Sequence, residues 1–411
     1  MLSNETKTPV RLVMLGAIFK LVGKVMRFMP IPEPELLVGP GSSRRLGEAI
    51  AAVGHARILI VTDSTITQLC LLQPLTEALT AAGAQYVVFD EITPDAPLPL
   101  IEKGIECFRS HGCDAIVAFG GGSPMDAAKA IAVAVANPGK SLRQLAGYFK
   151  GWRRPIKLYA VPTTAGTGSE ATVAAVIADP VNACKLVLVD FRMVPKLAAL
   201  DPDLMTGLPP HITATTGIDA LTHAVEAFIG NWKTAYSDRM ALSAVGLIFE
   251  NLRTAYRDGG NLAARENMAL AATQAGIAFT RANVGYVHAI AHQFGGKYHT
   301  PHGLANAILL PRVLRYSLPA ITERLAQLAV CAKVGDANES PRERADKFIG
   351  AVEQLNADLQ IPATLEALQE TDIPDLAAAA LREAHTGYPV PRYMTQAQCE
   401  NLIRQVLPGA G

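Results

Sequence analysis

Ala115-Ile116-Val117-Ala118-Phe119 runs without a break into Gly120-Gly121-Gly122-Ser123-Pro124, and then into Met125-Asp126-Ala127-Ala128-Lys129. A wholly apolar stretch of five reads as a strand buried on both faces. Glycines at its end let the backbone come close to a ligand. Pro124 suits a first helical turn, where its missing N–H costs nothing. Strand, glycine turn and helix start together present unpaired N–H groups and the positive helix end, which suit a phosphate. Alone the motif is weak, being neither G-x-G-x-x-G nor a P-loop, and a plain strand-to-helix turn is its bland alternative.

The same rhythm extends on either side. Residues 57–62, ending at Asp63, read as a buried strand, as do 85–89 and 157–161, with helical stretches at 71–83, 97–111 and 124–136. Strand and helix alternating at this spacing predict parallel pairing with right-handed crossovers. Residues 173–178 and 185–190 read as a hairpin around Asp179-Pro180-Val181-Asn182. After Leu208-Pro209-Pro210 the period becomes helical, over 213–229, 234–256, 263–283, 286–297, 319–334, 341–357 and 395–407, with no convincing strand. The expected organisation is an apolar, basic helical extension over 1–34, a Rossmann-like α/β domain with a parallel sheet over 35–208, and an all-α domain over 209–411.

Composition bounds the function. The 411 residues are 50% hydrophobic and carry 37 basic and 37 acidic side chains, a balance without the cationic field that nucleic-acid binding needs. Six scattered cysteines, none in a C-x-x-C pair, point to a reducing, cytoplasmic setting. Residues 10–29 are apolar and basic, but four charges interrupt the run, so it does not read as a membrane span. A helix packed on the body or on a partner subunit is the favoured reading there. Membrane-surface contact and a cleaved targeting segment are lesser ones.

A second loop, Val161-Pro162-Thr163-Thr164-Ala165-Gly166-Thr167-Gly168-Ser169-Glu170, follows the fourth strand with hydroxyls and amides that suit a pyrophosphate, ribose or nicotinamide. Its bland alternative is a capped helix start. Two loops after strands of one sheet fall at the carboxyl edge, where open α/β sheets bind ligands. Asp63, at the end of the first strand, is placed to bond an adenosine ribose and would repel a 2′-phosphate, favouring NAD over NADP.

The helical half carries the strongest chemical signal. Asp219 and His223 share a helical face, as do His288 and His292, and His302 follows shortly after. Imidazoles among Ala, Ile and Leu need partners. A divalent metal is one such partner, since three imidazoles and a carboxylate suit Fe(II) or Zn(II). The candidate ligands are Asp219, His223, two of His288, His292 and His302, and Glu226, for which a role behind the ligands or at the surface is the stronger reading.

Taken together, Gly120–Asp126, Pro162–Glu170, Gly217–His223 and the run from His288 through His302 to Pro311 resemble the iron-containing (group III) alcohol dehydrogenases, in order and spacing, over roughly residues 35–405. The resemblance implies a homodimer with an NAD-binding domain, a helical metal domain and an active site in the cleft between them. It implies Fe(II), with Zn(II) as the alternative, on Asp219, His223, His288 and His302. His292 then matches a further active-site histidine off the metal, and Phe279 a substrate-pocket aromatic. Asp63, Gly120, Gly121, Gly122, Ser123, Asp126, Thr163, Thr164, Thr167, Thr172 and Lys185 match positions around the dinucleotide. Asp95, in Thr93-Pro94-Asp95-Ala96-Pro97, stands where the family usually has Asn, and His385-Thr386-Gly387-Tyr388 departs from the family near the C-terminus. The implied reaction is reversible hydride transfer between a small primary alcohol or diol and nicotinamide. A carbon–oxygen lyase of the dehydroquinate synthase type, which also pairs NAD with a metal, is the rival, and it would need a basic pocket that these apolar ligand segments lack.

Overall fold

In the computed structural model, which describes residues 30–182 and 184–409, the opening strand is β4 (Ala115–Gly120), and every residue in it is buried. It pairs in parallel with β2 (Arg57–Val61) on one side and β6 (Lys157–Pro162) on the other. Beyond them stand β3 (Gln85–Phe89), β9 (Leu197–Leu200) and β1 (Glu35–Val38), in the order β1-β9-β6-β4-β2-β3. All these pairings are parallel. The period of two explains the unbroken apolar runs. Leu59, Val61, Ile116 and Ala118 face one core with α4 (Leu98–Ser110) and α5 (Gly122–Ala136). Ile58, Ile60, Val117 and Phe119 face the other with α1 (Ser42–Val53) and α3 (Gln73–Ala81), which a short α2 (Ser64–Gln68) precedes.

The expected hairpin is present as β7 (Ala174–Asp179) antiparallel to β8 (Cys184–Val189), with a two-residue β5 (Gly147–Tyr148) added after α6 (Leu142–Leu145). Strands β1 and β9 and helix α1 lie outside the expected elements. Strand β9 is only Leu-Ala-Ala-Leu, too short and too alanine-rich to stand out.

Among the described residues after 208 there is no strand. The helices are α7 (Pro210–Ile229), α8 (Ala235–Arg257), α9 (Leu262–Ala282), α10 (Tyr286–Tyr298), α11 (His302–Cys331), α12 (Pro341–Asp358), α13 (Ile373–Gly387) and α14 (Gln396–Arg404). Two differ from expectation. Helix α11 is a single helix that continues through Pro311 and Pro319 rather than starting near 319. Pro311 cannot donate to the carbonyl of Ala307, and the Asn356 side chain does so instead, at 2.7 Å. Helix α13 corresponds to no expected helix.

The chain divides into two compact units. One holds residues 31–220 and 247–280, so nearly all of α9 falls in the same unit as the sheet. The other holds 221–246 and 281–409, in which α10 packs against both α11 and α13. Among the described residues no helix is long and apolar enough to cross a membrane, and all six cysteines are free. The expectations for residues 10–29 lie outside the described residues.

Candidate active site

The two loops expected to cradle a dinucleotide emerge side by side, because β4 and β6 are neighbours. The Thr163 N–H donates to the Gly120 carbonyl at 3.0 Å. Gly120 has φ of +143°, and a Cβ there would stand 2.7 Å from the Pro124 ring, so only glycine fits. A Cβ on Gly121 would stand 3.3 Å from the Thr164 hydroxyl, and one on Gly122 would stand 2.8 Å from the Thr167 methyl. Helix α5 starts at this point with Gly121 as its N-cap and no side-chain cap bond, leaving its first N–H groups for a ligand. Asp63 caps α2 by accepting from the Ile66 N–H at 3.1 Å, and its other oxygen lies 3.6 Å from a Cβ position on Gly120. Asp63 thus stands beside the glycine turn.

Other residues of the expected set work beneath the loops. Asp126 accepts from the Ser169 hydroxyl at 2.8 Å and from the Val176 N–H at 3.0 Å, so both its oxygens face protein. Thr172 is buried and accepts from Lys129 at 2.7 Å. Lys129 is fully buried and also donates to the Ser169 hydroxyl at 2.9 Å and the Ala174 carbonyl at 2.8 Å. Burial pulls its ammonium down to about 8, against the upward pull of Asp126 and then Glu170. Thr167 accepts from the Ser169 N–H at 3.3 Å. Lys185 pairs with Asp95 at 2.8 Å, and the Asp95 N–H donates to the Ser123 hydroxyl at 3.1 Å. Phe279 is half-buried near the end of α9.

The metal candidates converge. Asp219, His223, His288 and His302 each offer a ligand atom, and these atoms all lie within 4.8 Å of one another. Four ligands at about 2.1 Å from one ion stand about 3.4 Å apart in a tetrahedron, so the cluster is of the right size. Asp219 and His223 come from one face of α7, His288 from the first turn of α10, and His302 is the first residue of α11. The His223 and His288 rings stack at 4.6 Å between centroids.

The protonation states also fit a metal. Burial, then the neighbouring rings of His223, His302 and His292, hold the His288 imidazole well below its ordinary range, so it is neutral. Its Nδ1 lies 2.6 Å from Glu226 Oε2, which fixes the tautomer with the proton on Nδ1. The Asn306 amide nitrogen lies 3.3 Å from His288 Nε2 and 3.1 Å from His302 Nε2. Glu226 also accepts from the Val287 N–H at 2.8 Å. Burial pushes its carboxyl up to about 7, against the downward pull of the Gly285, Val287 and His288 backbone.

His292 is outside the four-residue cluster. Its ring stacks on His302 at 5.4 Å and meets His288 edge-on at 6.0 Å. Its Nδ1 lies 2.6 Å from Glu383 Oε1. Glu383 and Asn306 escaped the sequence reading as functional residues. Asn306 falls four residues after His302, a spacing that puts both on one face of α11. Glu383 has no such local signal, because it comes from α13.

Two family models cover most of the chain. "Iron-containing alcohol dehydrogenase" matches residues 33–202, and "Fe-containing alcohol dehydrogenase family, C-terminal" matches 213–407. The chain is 40% identical over 373 residues to 1,3-propanediol dehydrogenase from Citrobacter freundii, covering 89% of this chain and 95% of the relative. It is 34% identical over 376 residues to NAD-dependent methanol dehydrogenase from Bacillus methanolicus, covering 91% and 98%. The crystal structure of a 1,3-propanediol oxidoreductase superposes with a TM-score of 0.87 at 38% identity, over 92% of this chain and all of that one.

Proposed function

The chain belongs to the iron-containing alcohol dehydrogenase family, and from that premise we propose that it interconverts a small primary alcohol or diol with its aldehyde, using NAD and one Fe(II). That it is an oxidoreductase of the NAD-dependent alcohol dehydrogenase type follows from the family itself. The substrate class rests on the names of relatives acting on propanediol and methanol, both primary alcohols. The observation that carries the reading is the three-imidazole, one-carboxylate cluster on α7, α10 and α11.

Asp219, His223, His288 and His302 would hold the ion, with Zn(II) as the alternative. When bound, the metal supplies a Lewis acid for the substrate oxygen and the nicotinamide a hydride acceptor. Glu226 keeps the His288 proton on Nδ1 and so leaves Nε2 to ligate. The Gly120–Ser123 and Thr163–Thr167 loops bind the pyrophosphate and nicotinamide end, and Asp63 bonds the adenosine ribose and disfavours a 2′-phosphate. Asp126 and Thr172 serve the loops from below through Ser169 and Lys129. Phe279 contributes apolar surface to the substrate pocket. His292 carries the alcohol proton towards solvent through Nε2, its Nδ1 being bonded to Glu383.

The test is NADH formation by the purified protein, loaded in turn with Fe(II) and Zn(II), across a panel of primary alcohols and diols. Turnover of at least one of them supports the reading. No NADH from any of them with either metal would overturn it.

A further inference from the structure

Both histidines on the inward face of α10 have a carboxylate on Nδ1, and the two carboxylates come from different helices. His288 has Glu226 of α7 at 2.6 Å, and His292 has Glu383 of α13 at 2.6 Å. The second pair is built with care. Glu383 Oε1 also accepts from the Tyr388 hydroxyl at 2.5 Å, and Oε2 accepts from the Gln293 amide at 2.9 Å. The carboxylate is therefore held by two further donors besides the imidazole. Burial works to raise the Glu383 carboxyl, and the bonds from His292, Tyr388 and Gln293 outweigh it, leaving an anion.

We propose that Glu383 is the positioning residue for His292: it keeps the ring proton on Nδ1, fixes the ring plane, and confines proton exchange to Nε2. Two consequences follow from the geometry. The His292 ring, although stacked 5.4 Å from the ligand candidate His302, is anchored from behind by α13 and stays out of the metal cluster. An imidazole so anchored does not flip between tautomers, so its one exchangeable lone pair stays aimed in a single direction. The proposal rests on the reading of His292 as the proton carrier.

The experiment is a double-mutant cycle with Glu383→Ala and His292→Ala, read as kcat, KM and metal content. It is joined by proton-detected spectra of selectively 15N-histidine-labelled protein. Glu383→Ala is expected to lower kcat by about tenfold or more, with metal content and cofactor KM close to parental. In the His292→Ala background the same change is expected to cost nothing further, because a residue acting through His292 has nothing left to act on. A downfield His292 Nδ1–H resonance is expected in the parent and lost in Glu383→Ala. Glu383→Gln, whose amide oxygen still accepts from Nδ1–H, should recover part of the rate. Tyr388→Phe, which removes one bond to the same carboxylate, gives a milder loss and serves if Glu383→Ala does not fold. Effects that add independently in the double variant, or a parental kcat in Glu383→Ala, would overturn the proposal. A parental kcat in His292→Ala would instead overturn the proton-carrier reading beneath it.

Discussion

Glu226 sits behind a metal ligand without belonging to the cluster, and removing it isolates what orientation is worth. Its side chain is 2% exposed and accepts from His288 Nδ1 at 2.6 Å and from the Val287 N–H at 2.8 Å. In Glu226→Ala both buried donors lose their acceptor, at about 1–3 kcal/mol each. The His288 ring is then free to rotate or change tautomer. Loss of such an orienting carboxylate typically weakens metal affinity by about 10–100-fold. That range corresponds to about 1.4–2.7 kcal/mol. Competition between the protein and a chromogenic chelator for Fe(II) or Zn(II) measures the affinity. A denaturant midpoint taken without added metal separates the folding cost. Gly285→Ala approaches the same carboxylate from outside: the new Cβ would stand 2.8 Å from Glu226 Oε1 while the backbone φ stays negative. It should weaken metal binding in the same direction without changing any ligand. If Glu226→Ala holds metal as tightly as the parent while His288→Ala loses it, the orienting role is refuted.

Asp63→Gly should narrow the preference for NAD over NADP, read as the ratio of kcat/KM values; a parent that prefers NADP would contradict the role given to Asp63. Gly168 has φ of +60°, and a Cβ there would stand 2.5 Å from the Ala272 carbonyl and 2.8 Å from Gly276 Cα. Because both neighbours are backbone, Gly168→Ala should cost about 2–4 kcal/mol, and an unchanged melting temperature would contradict the close approach. The Arg143 guanidinium, 2.6 and 2.9 Å from Asp179, and then Asn182, hold the Asp179 carboxyl well below the usual carboxylate range. The stability this gives is present above about pH 4 and is lost as pH falls towards the depressed value. Asp179→Asn should therefore be less stable than the parent at pH 7, and the two should converge in strong acid.

What the sequence makes legible follows burial. Strands β2 and β4 are apolar on both faces because helices cover both, so they read as unbroken runs. The ligand histidines stand out because polar rings among Ala and Ile need a reason to be there. Lys129 does not stand out, since in Ala-Ala-Lys-Ala it looks like a solvated helix position, and only the all-round burial of α5 shows otherwise. Asp126 matches a cofactor motif, yet its bonds to Ser169 and Val176 emerge only when β7 folds over α5. Helix α11 is cut short in a reading of the sequence because Pro311 and Pro319 are helix breakers in isolation. The remedy for Pro311, Asn356, lies on another helix. Glu383 is 91 residues from His292, so no local pattern pairs them. Helix α13 itself was within reach, with buried residues at 373, 376, 377, 380, 381 and 384.

The buried ammonium of Lys129 has a consequence for how the second loop finds its shape. Its three acceptors, on Ser169, Thr172 and Ala174, are oxygens spaced along six residues of chain. A loop displaced by one residue would bring Ala171 or Val173 to the ammonium in place of the Thr172 hydroxyl, and a buried donor left without its acceptor costs about 1–3 kcal/mol, more for a charged group. Misthreaded versions of the loop are thereby penalised far more heavily than they would be over an apolar floor. Lys129 acts as a register pin, giving this segment a single alignment rather than a deeper energy well.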